Sequence, residues 1–272
     1  RVVAEFRDAL DLLPKTHGKS PASRKLSIAE IIEKAADLPS EQRGLAPATI
    51  KRILTHLRAI LEAARGYGFA VADPTSLGSM LAKDARRAED KRGVFSAADL
   101  TVLFQASEFL DPQSAVSAAA YWLPLLGVYT GARTGELAGL RGCDVLIDER
   151  SIRIVDPQHR KLKTRDSARA VPVHDELIRL GFLDFARAKG ASDELLFGEL
   201  RSTGGKRPLA DTAARHFGRL LDRVLPQARP SKTPFHSFRA YVNTALAAAG
   251  VSDAARERIM GHKASSTNSL HY

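Results

Sequence analysis

Between Ile50 and Ala64 the apolar positions return every three or four residues. Ile50, Ile53, Leu54, Leu57, Ile60, Leu61 and Ala64 form one stripe, and Lys51, Arg52, His56, Arg58 and Arg65 decorate the rest. That period predicts an amphipathic helix with a basic outer face, stopped by Gly66 and Gly68. A second helix is predicted from about Ser27 to Ala36 and another over the first dozen residues, so the N-terminal third reads as all-helical. From Asp73-Pro74 to Gly93 the periodicity fades and charge rises, through Lys83, Asp84, Arg86, Arg87, Glu89, Asp90, Lys91 and Arg92. A solvated helix face leading into a linker and a basic strap on a phosphate backbone both fit this stretch. Ser96 then opens a new helix, with Asp99 in its first turn and Leu100, Leu103 and Phe104 on its apolar side. We place a domain boundary near Arg92, which gives units 1–92 and 93–272.

The second unit begins with helices and then changes period. Ala115 to Thr130 is apolar almost all round, which predicts a buried helix. Gly131 interrupts it and Thr134 starts the next. Val145-Leu-Ile147, a turn at Asp148-Glu-Arg150, and Ser151-Ile-Arg-Ile-Val155 read as a short β-hairpin. Ala170-Val-Pro-Val173 makes a third strand, with Pro172 pointing to a sheet edge. Helices return at about Asp175–Ala188, Asp211–Leu225, Ser237–Ala249 and Asp253–Met260, with Gly250 and Gly261 at helix ends and Asp211 and Ser252 as N-caps. The pattern as a whole is mostly α, with a small antiparallel β-sheet inserted.

Composition narrows the class. With 44% hydrophobic residues over 272 positions, a packed core is expected and disorder is not. The formal charge of +10 points toward a polyanion, nucleic acid or an anionic membrane surface, although a basic surface alone also fits. The single cysteine, Cys143, excludes an internal disulfide and fits a reducing compartment. No apolar run approaches the ~20 residues that span a bilayer, and no signal peptide is visible. Arg1 in place of Met leads us to expect a piece of a longer chain.

Four polar groups stand out. Arg133 and Glu136 are three residues apart and share a helix face. A local ion pair accounts for them, but the arginine follows Gly131 at a helix start, where backbone N–H groups favour an anion. His236 and Arg239 repeat the spacing at the start of the Ser237 helix, just after Pro234. A guanidinium can clamp two phosphate oxygens and an imidazole can move a proton near neutral pH. A capping histidine with a surface arginine is the plainer reading. Arg160, Lys161, Lys163, Arg165 and Arg169 form a basic run between strands, either a solvated hairpin tip or a source of a lysine that reaches a phosphate. His262 follows Gly261 at a helix end, and Tyr272 lies in the polar stretch after it.

In order and spacing these clusters resemble the tyrosine recombinase (phage integrase) family. The resemblance rests on Thr130-Gly-Ala-Arg-Thr-Gly-Glu-Leu137, the Lys163 hairpin ending at Val171-Pro172, His236-Ser-Phe-Arg239, Met260-Gly-His262 and Tyr272, and covers about Gly93–Tyr272. Upstream, Leu45-Ala-Pro-Ala-Thr-Ile50 leading to Asp73-Pro74 is similar to the helical core-binding domain of such proteins. The resemblance implies that Arg133, Lys163, His236, Arg239, His262 and Tyr272 are catalytic and that Glu136 braces the site. Lys161 remains an alternative to Lys163. Tyr272 stands ten residues after His262, where many members have nine.

The implied activity is site-specific cutting and rejoining of DNA through a 3′-phosphotyrosyl link, without metal or other cofactor. DNA contacts are expected from Lys51, Arg52, Arg58, Arg92, Arg160, Lys161 and Arg165, with two basic domains forming a clamp around the duplex and the Ile50 helix in a groove. Implied partners are double-stranded DNA, a homotetramer on paired sites and accessory DNA-bending factors, with no membrane. The implied place is the cytoplasm of a prokaryotic or phage-infected cell, on the nucleoid. Two other readings fit parts of the pattern: a type IB topoisomerase-like relaxing enzyme, and a non-catalytic DNA-binding relative.

Overall fold

The computed structural model describes residues 2–18, 25–71, 94–155, 168–201, 208–226 and 235–261. The chain divides into two compact units, Arg1–Arg86 and Arg87–Tyr272. The expected boundary at Arg92 lies outside the described residues, as does the charged stretch around it.

The first unit contains α1 (Val2–Leu12), α2 (Ile28–Ala36) and α3 (Pro47–Gly66). Ser27 caps α2 through a reciprocal box. Its hydroxyl accepts from the Glu30 N–H at 3.3 Å, and Glu30 Oε2 accepts from the Ser27 N–H at 2.7 Å. Pro47 sits in the first turn of α3, where its missing N–H is harmless. Leu10, Leu13, Ile31, Leu45, Ile50 and Leu54 form the core of this unit, with Ile53, Leu57 and Leu61 packed against it. Ile60 does not join them and is 65% exposed. At 3.6 residues per turn it lies about 80° from Ile50, at the margin of the apolar stripe.

The second unit opens with α4 (Ala97–Phe104), capped by a second reciprocal box between Ser96 and Asp99, and the short α5 (Ser107–Leu110). The apolar α6 (Ala118–Thr130) starts three residues later than its composition predicts. Ser117 decides the start, its hydroxyl accepting from the Ala120 N–H at 3.2 Å, while Glu199 Oε1 accepts from the Ala119 N–H at 2.8 Å. This helix is the axis of the core. Ala119, Tyr121, Trp122, Leu123, Leu125 and Leu126 are all buried, and five other helices of the unit pack around it. Phe238 of a later helix packs tilted against Phe95 (centroids 4.9 Å) and edge-to-face with Phe235 (5.2 Å). Gly127 leaves room for that cluster, since a Cβ there would lie 2.8 Å from the Phe238 ring.

After α7 (Thr134–Ala138) come β1 (Val145–Leu146), β2 (Ser151–Ile154) and β3 (Arg169–Pro172), paired antiparallel in that order. The register sets Ile152 opposite Val171 and Ile154 opposite Arg169. Pro172 is on an edge strand, as its missing N–H requires. The stretch expected as one helix over Asp175–Ala188 is two, α8 (Asp175–Arg179) and α9 (Phe182–Lys189). Gly181, at φ 87°, adopts a left-handed turn that breaks the run. α10 (Leu209–Val224) begins before Asp211, which therefore lies in the first turn and is not the N-cap. α11 (Ser237–Ala248) and α12 (Asp253–Met260) complete the unit, and Ser252 caps α12 by accepting from the Ala255 N–H at 3.4 Å. Among the described residues no helix is long and apolar enough to cross a membrane.

Candidate active site

The site is assembled where the end of α6, the start of α7, strand β3, the start of α11 and the end of α12 meet. Thr130 ties off α6, its hydroxyl donating to the Leu126 carbonyl at 2.5 Å and accepting from the Ala132 N–H at 3.2 Å. Gly131 then turns the chain at φ 61°. A Cβ there would sit 2.7 Å from Met260 Cε, so both conformation and space call for glycine. The turn delivers Arg133 to the N-cap position of α7.

Arg133 is held from both ends. Its backbone N–H donates to Glu136 Oε2 at 2.8 Å, and Nη1 donates to Glu136 Oε1 at 2.7 Å. Nη2 reaches the Gly261 carbonyl at 3.3 Å. Glu136 is buried and is shared with a second cation, since Arg169 Nη2 donates to its Oε2 at 2.9 Å. Burial pushes the Glu136 carboxyl toward a higher pKa. The hydrogen bond and charge of Arg169 and the bonds from Arg133 overcome this and hold it below the ordinary carboxylate value.

Arg239, in the first turn of α11, is only 4% exposed. Its Nη1 donates to the Gly131 carbonyl at 2.9 Å and its Nη2 to the Met260 carbonyl. Burial, then the nearby charge of Arg133, push its pKa down to about 10, so it remains charged at neutral pH. Among the described residues no carboxylate lies within ion-pair distance of it. The plainer sequence reading, a surface arginine, is thus overturned by its burial.

Arg169 completes a pattern. Its Nε donates to the Ile259 carbonyl at 2.8 Å. The consecutive carbonyls of Ile259, Met260 and Gly261 therefore receive Arg169, Arg239 and Arg133 in turn. These are groups that a helix end leaves without intrahelical donors, at the negative end of its dipole. Three cations thus share one small scaffold, and the arrangement can present guanidinium donors to an anion.

His236 occupies the N-cap position of α11 and is exposed, with no side-chain capping bond to the helix. Lys51, Arg52 and Arg58 are exposed on α3 in the other unit, Arg58 pairing with Glu62 at 2.7 Å. Lys163, His262 and Tyr272, with Arg92, Arg160, Lys161 and Arg165, lie outside the described residues. The structure adds Arg169, which the sequence reading counted only as one more charge in a basic run. One local signal marked it: Arg169 shares strand parity with the buried Val171, so a strand there turns it to the inner face.

Residues 94–272 match the profile of the phage integrase family. The chain belongs to that family. As a phage integrase family member it is a site-specific tyrosine recombinase, a DNA strand transferase. Solved structures of similar fold include the Tn1549 transposon integrase with a circular intermediate DNA, at 17% identity and TM-score 0.59, covering 94% of each chain. A lambda integrase tetramer bound to a Holliday junction matches at 17% identity and TM-score 0.57, over 97% of this chain and 78% of that one. Lambda integrase(75-356), solved as a dimer on a COC′ core site, matches at 16% identity and TM-score 0.58, over 98% and 92%. At such identities the likeness concerns the fold. No protein of curated function matches the chain.

Proposed function

We infer that the second unit cleaves DNA by attack of Tyr272 on the scissile phosphorus, with Arg133 and Arg239 as the phosphate clamp and the first unit as a core-binding domain. The observation that carries this is Arg239. It is a buried guanidinium bound to two backbone carbonyls and, among the described residues, to no carboxylate. A buried charge lacking a counter-ion is unfavourable, and the non-bridging oxygens of a phosphodiester supply that charge in a geometry a guanidinium matches. Arg133, held beside it by Glu136, presents a second cation to the same group.

In the reaction the Tyr272 phenol oxygen bonds to phosphorus and the bond from phosphorus to the 5′-oxygen breaks. A 3′-phosphotyrosyl link and a free 5′-hydroxyl result. His236 takes the phenol proton, which a free tyrosine releases only near pH 10. Lys163 protonates the leaving 5′-oxygen, with Lys161 the alternative on the same loop, and His262 donates a hydrogen bond to the pentavalent phosphorus group. Attack by a 5′-hydroxyl of the partner strand runs the same steps in reverse. The bond energy is conserved, and no nucleotide is consumed.

Lys51, Arg52, Arg58, Arg92, Arg160, Lys161 and Arg165 contribute contacts to double-stranded DNA, chiefly to phosphates. Four copies act on two paired sites, a reading that the tetrameric state of lambda integrase on its Holliday junction supports. Accessory DNA-bending factors assist, and the reaction takes place on DNA in the cytoplasm of a prokaryotic or phage-infected cell.

The test uses nicked duplexes tiled across the DNA flanking the chain's own gene. A protein–DNA adduct that survives denaturation is expected, and Tyr272→Phe should abolish it. Arg133→Ala should keep duplex binding while adduct formation falls by a factor on the order of 100 to 1,000, the worth of one preorganised donor. An adduct formed by Tyr272→Phe would remove the nucleophile assignment, and unchanged cleavage by Arg133→Ala would remove the clamp.

A further inference from the structure

Arg169 is outside the set to which the chemistry is assigned, yet its side chain is only 5% exposed. It joins three pieces of chain that are remote in sequence. From β3 it donates Nη2 to Glu136 at the start of α7 and Nε to the Ile259 carbonyl at the end of α12. Gly261 is pressed against it: a Cβ on that residue would lie 2.7 Å from Arg169 Nη1. Two anchors of the Arg133 head, the Glu136 carboxylate and the Gly261 carbonyl, therefore belong to segments that Arg169 holds.

We propose that Arg169 is a positioning residue for strand cleavage, orienting Glu136 and the Ile259–Gly261 turn and so aiming the Arg133 guanidinium at the scissile phosphate. This rests on the strand-transfer reading above. Its Nη2 and Nε are already engaged by the Glu136 carboxylate and the Ile259 carbonyl, so it acts through those partners. A lysine cannot substitute for it, because the two bonds leave from Nε and Nη2, a fork that an ammonium lacks.

The proposal carries a pH signature. Arg133 from the start of α7, Arg169 from β3 and Arg239 from α11 face Glu136. Without Arg169, burial of the carboxyl is opposed by less positive charge, so Glu136 takes up a proton at higher pH. The protonated form no longer holds Arg133 by charge. The acid limb of the cleavage profile should therefore move upward in pH.

The experiment compares the full chain with Arg169→Gln and Arg169→Lys. Single-turnover adduct formation on the flanking-DNA duplexes is followed from about pH 5 to about pH 9, spanning the carboxylate and imidazole ranges. Binding of the same duplexes and guanidinium 15N–1H signals of the free protein are recorded alongside. Arg169→Gln should unfold cooperatively, bind DNA within about threefold of wild type and cleave on the order of 100-fold more slowly, the effect of a small misplacement. Its acid limb should shift upward and its Arg133 signals should broaden. Arg169→Lys should move the acid limb less than Arg169→Gln does, because it keeps the charge but not the fork, while its rate stays low. Wild-type rate and pH profile in a folded Arg169→Gln overturns the proposal. So does a loss of rate that only follows the folded fraction, with an unshifted profile. If the wild-type chain forms no adduct on any duplex, the strand-transfer reading falls. In that case Arg133 signals unchanged by Arg169→Gln would also overturn the positioning role, and their broadening would support it.

Discussion

Glu136 is a single carboxylate that serves two guanidiniums, Arg133 through Oε1 and Arg169 through Oε2. Removing it leaves two partly or fully buried cations facing each other, and breaking a buried pair in this way typically costs about 3–5 kcal/mol. Glu136→Gln should therefore be destabilised at neutral pH in urea unfolding. Because the folded protein holds the Glu136 pKa below the ordinary glutamate value of 4.5, the stabilisation is complete above that value and is lost as pH falls through the folded one. The gap between Glu136→Gln and wild type should accordingly be full above about pH 5 and narrow in more acid solution. A gap that stays constant with pH would show that the ionised carboxylate is not its source. Gly131 poses a steric question at the same scale. Gly131→Ala requires φ 61° of an L-residue and sets a methyl against Met260. A loss of about 1–3 kcal/mol is expected, with Arg239 displaced because its Nη1 partner is the Gly131 carbonyl.

At the scale of elements, helix starts are where the chain commits its geometry. The starts of α2 and α4 close within four residues, through the boxes of Ser27 with Glu30 and Ser96 with Asp99. The start of α6 is different, since it draws Glu199 from 80 residues away to the Ala119 N–H. Ser96→Ala should cost about 1 kcal/mol, the usual worth of a cap. Glu199→Ala should cost a comparable amount and leave the helix content unchanged, because Ser117 still caps the same end. Thermal unfolding of the two variants decides this; a large loss in Glu199→Ala would mean that the carboxylate does more than cap. The end of α12 matters for function. Its last carbonyls are satisfied by side chains from β3, α7 and α11, so disturbance at this helix end reaches all three arginines at once.

On the scale of the whole molecule, two separate hydrophobic cores follow from two separate runs of apolar periodicity. Leu54 is 1% exposed in the smaller core, so Leu54→Ala should cost that unit about 2–5 kcal/mol. Calorimetry should show a transition lowered for the first unit while the second unit, with its larger core around α6, keeps its own. A single transition lowered as a whole would mean that the two unfold together. The net charge of +10 predicts that duplex binding weakens steeply with salt, with a log–log slope of about −0.9 per phosphate neutralised. Neutralising Lys51 or Arg52 on the exposed face of α3 should lower that slope by about one each.

Most helix positions, the cap of Ser96 with Asp99, the three short strands and the edge position of β3 are readable along the chain, because each is decided by groups within a few residues of one another. So were the spacing of Arg133 with Glu136 and of His236 with Arg239, and the family that this spacing resembles. The break at Gly181, the exposure of Ile60 and the place of Asp211 inside α10 differ from expectation, because Gly181 takes a left-handed turn, Ile60 lies at the margin of its stripe and α10 starts at Leu209. Burial of Arg239 and the role of Arg169 were beyond reach of any local pattern. Arg169 meets Glu136 across 33 residues and Ile259 across 90, and Arg239 meets Gly131 across 108. A guanidinium carries the same charge on a loop tip as in a core. Only the packing of β3, α7, α11 and α12 around one helix end turns three arginines of a basic chain into a single cationic site.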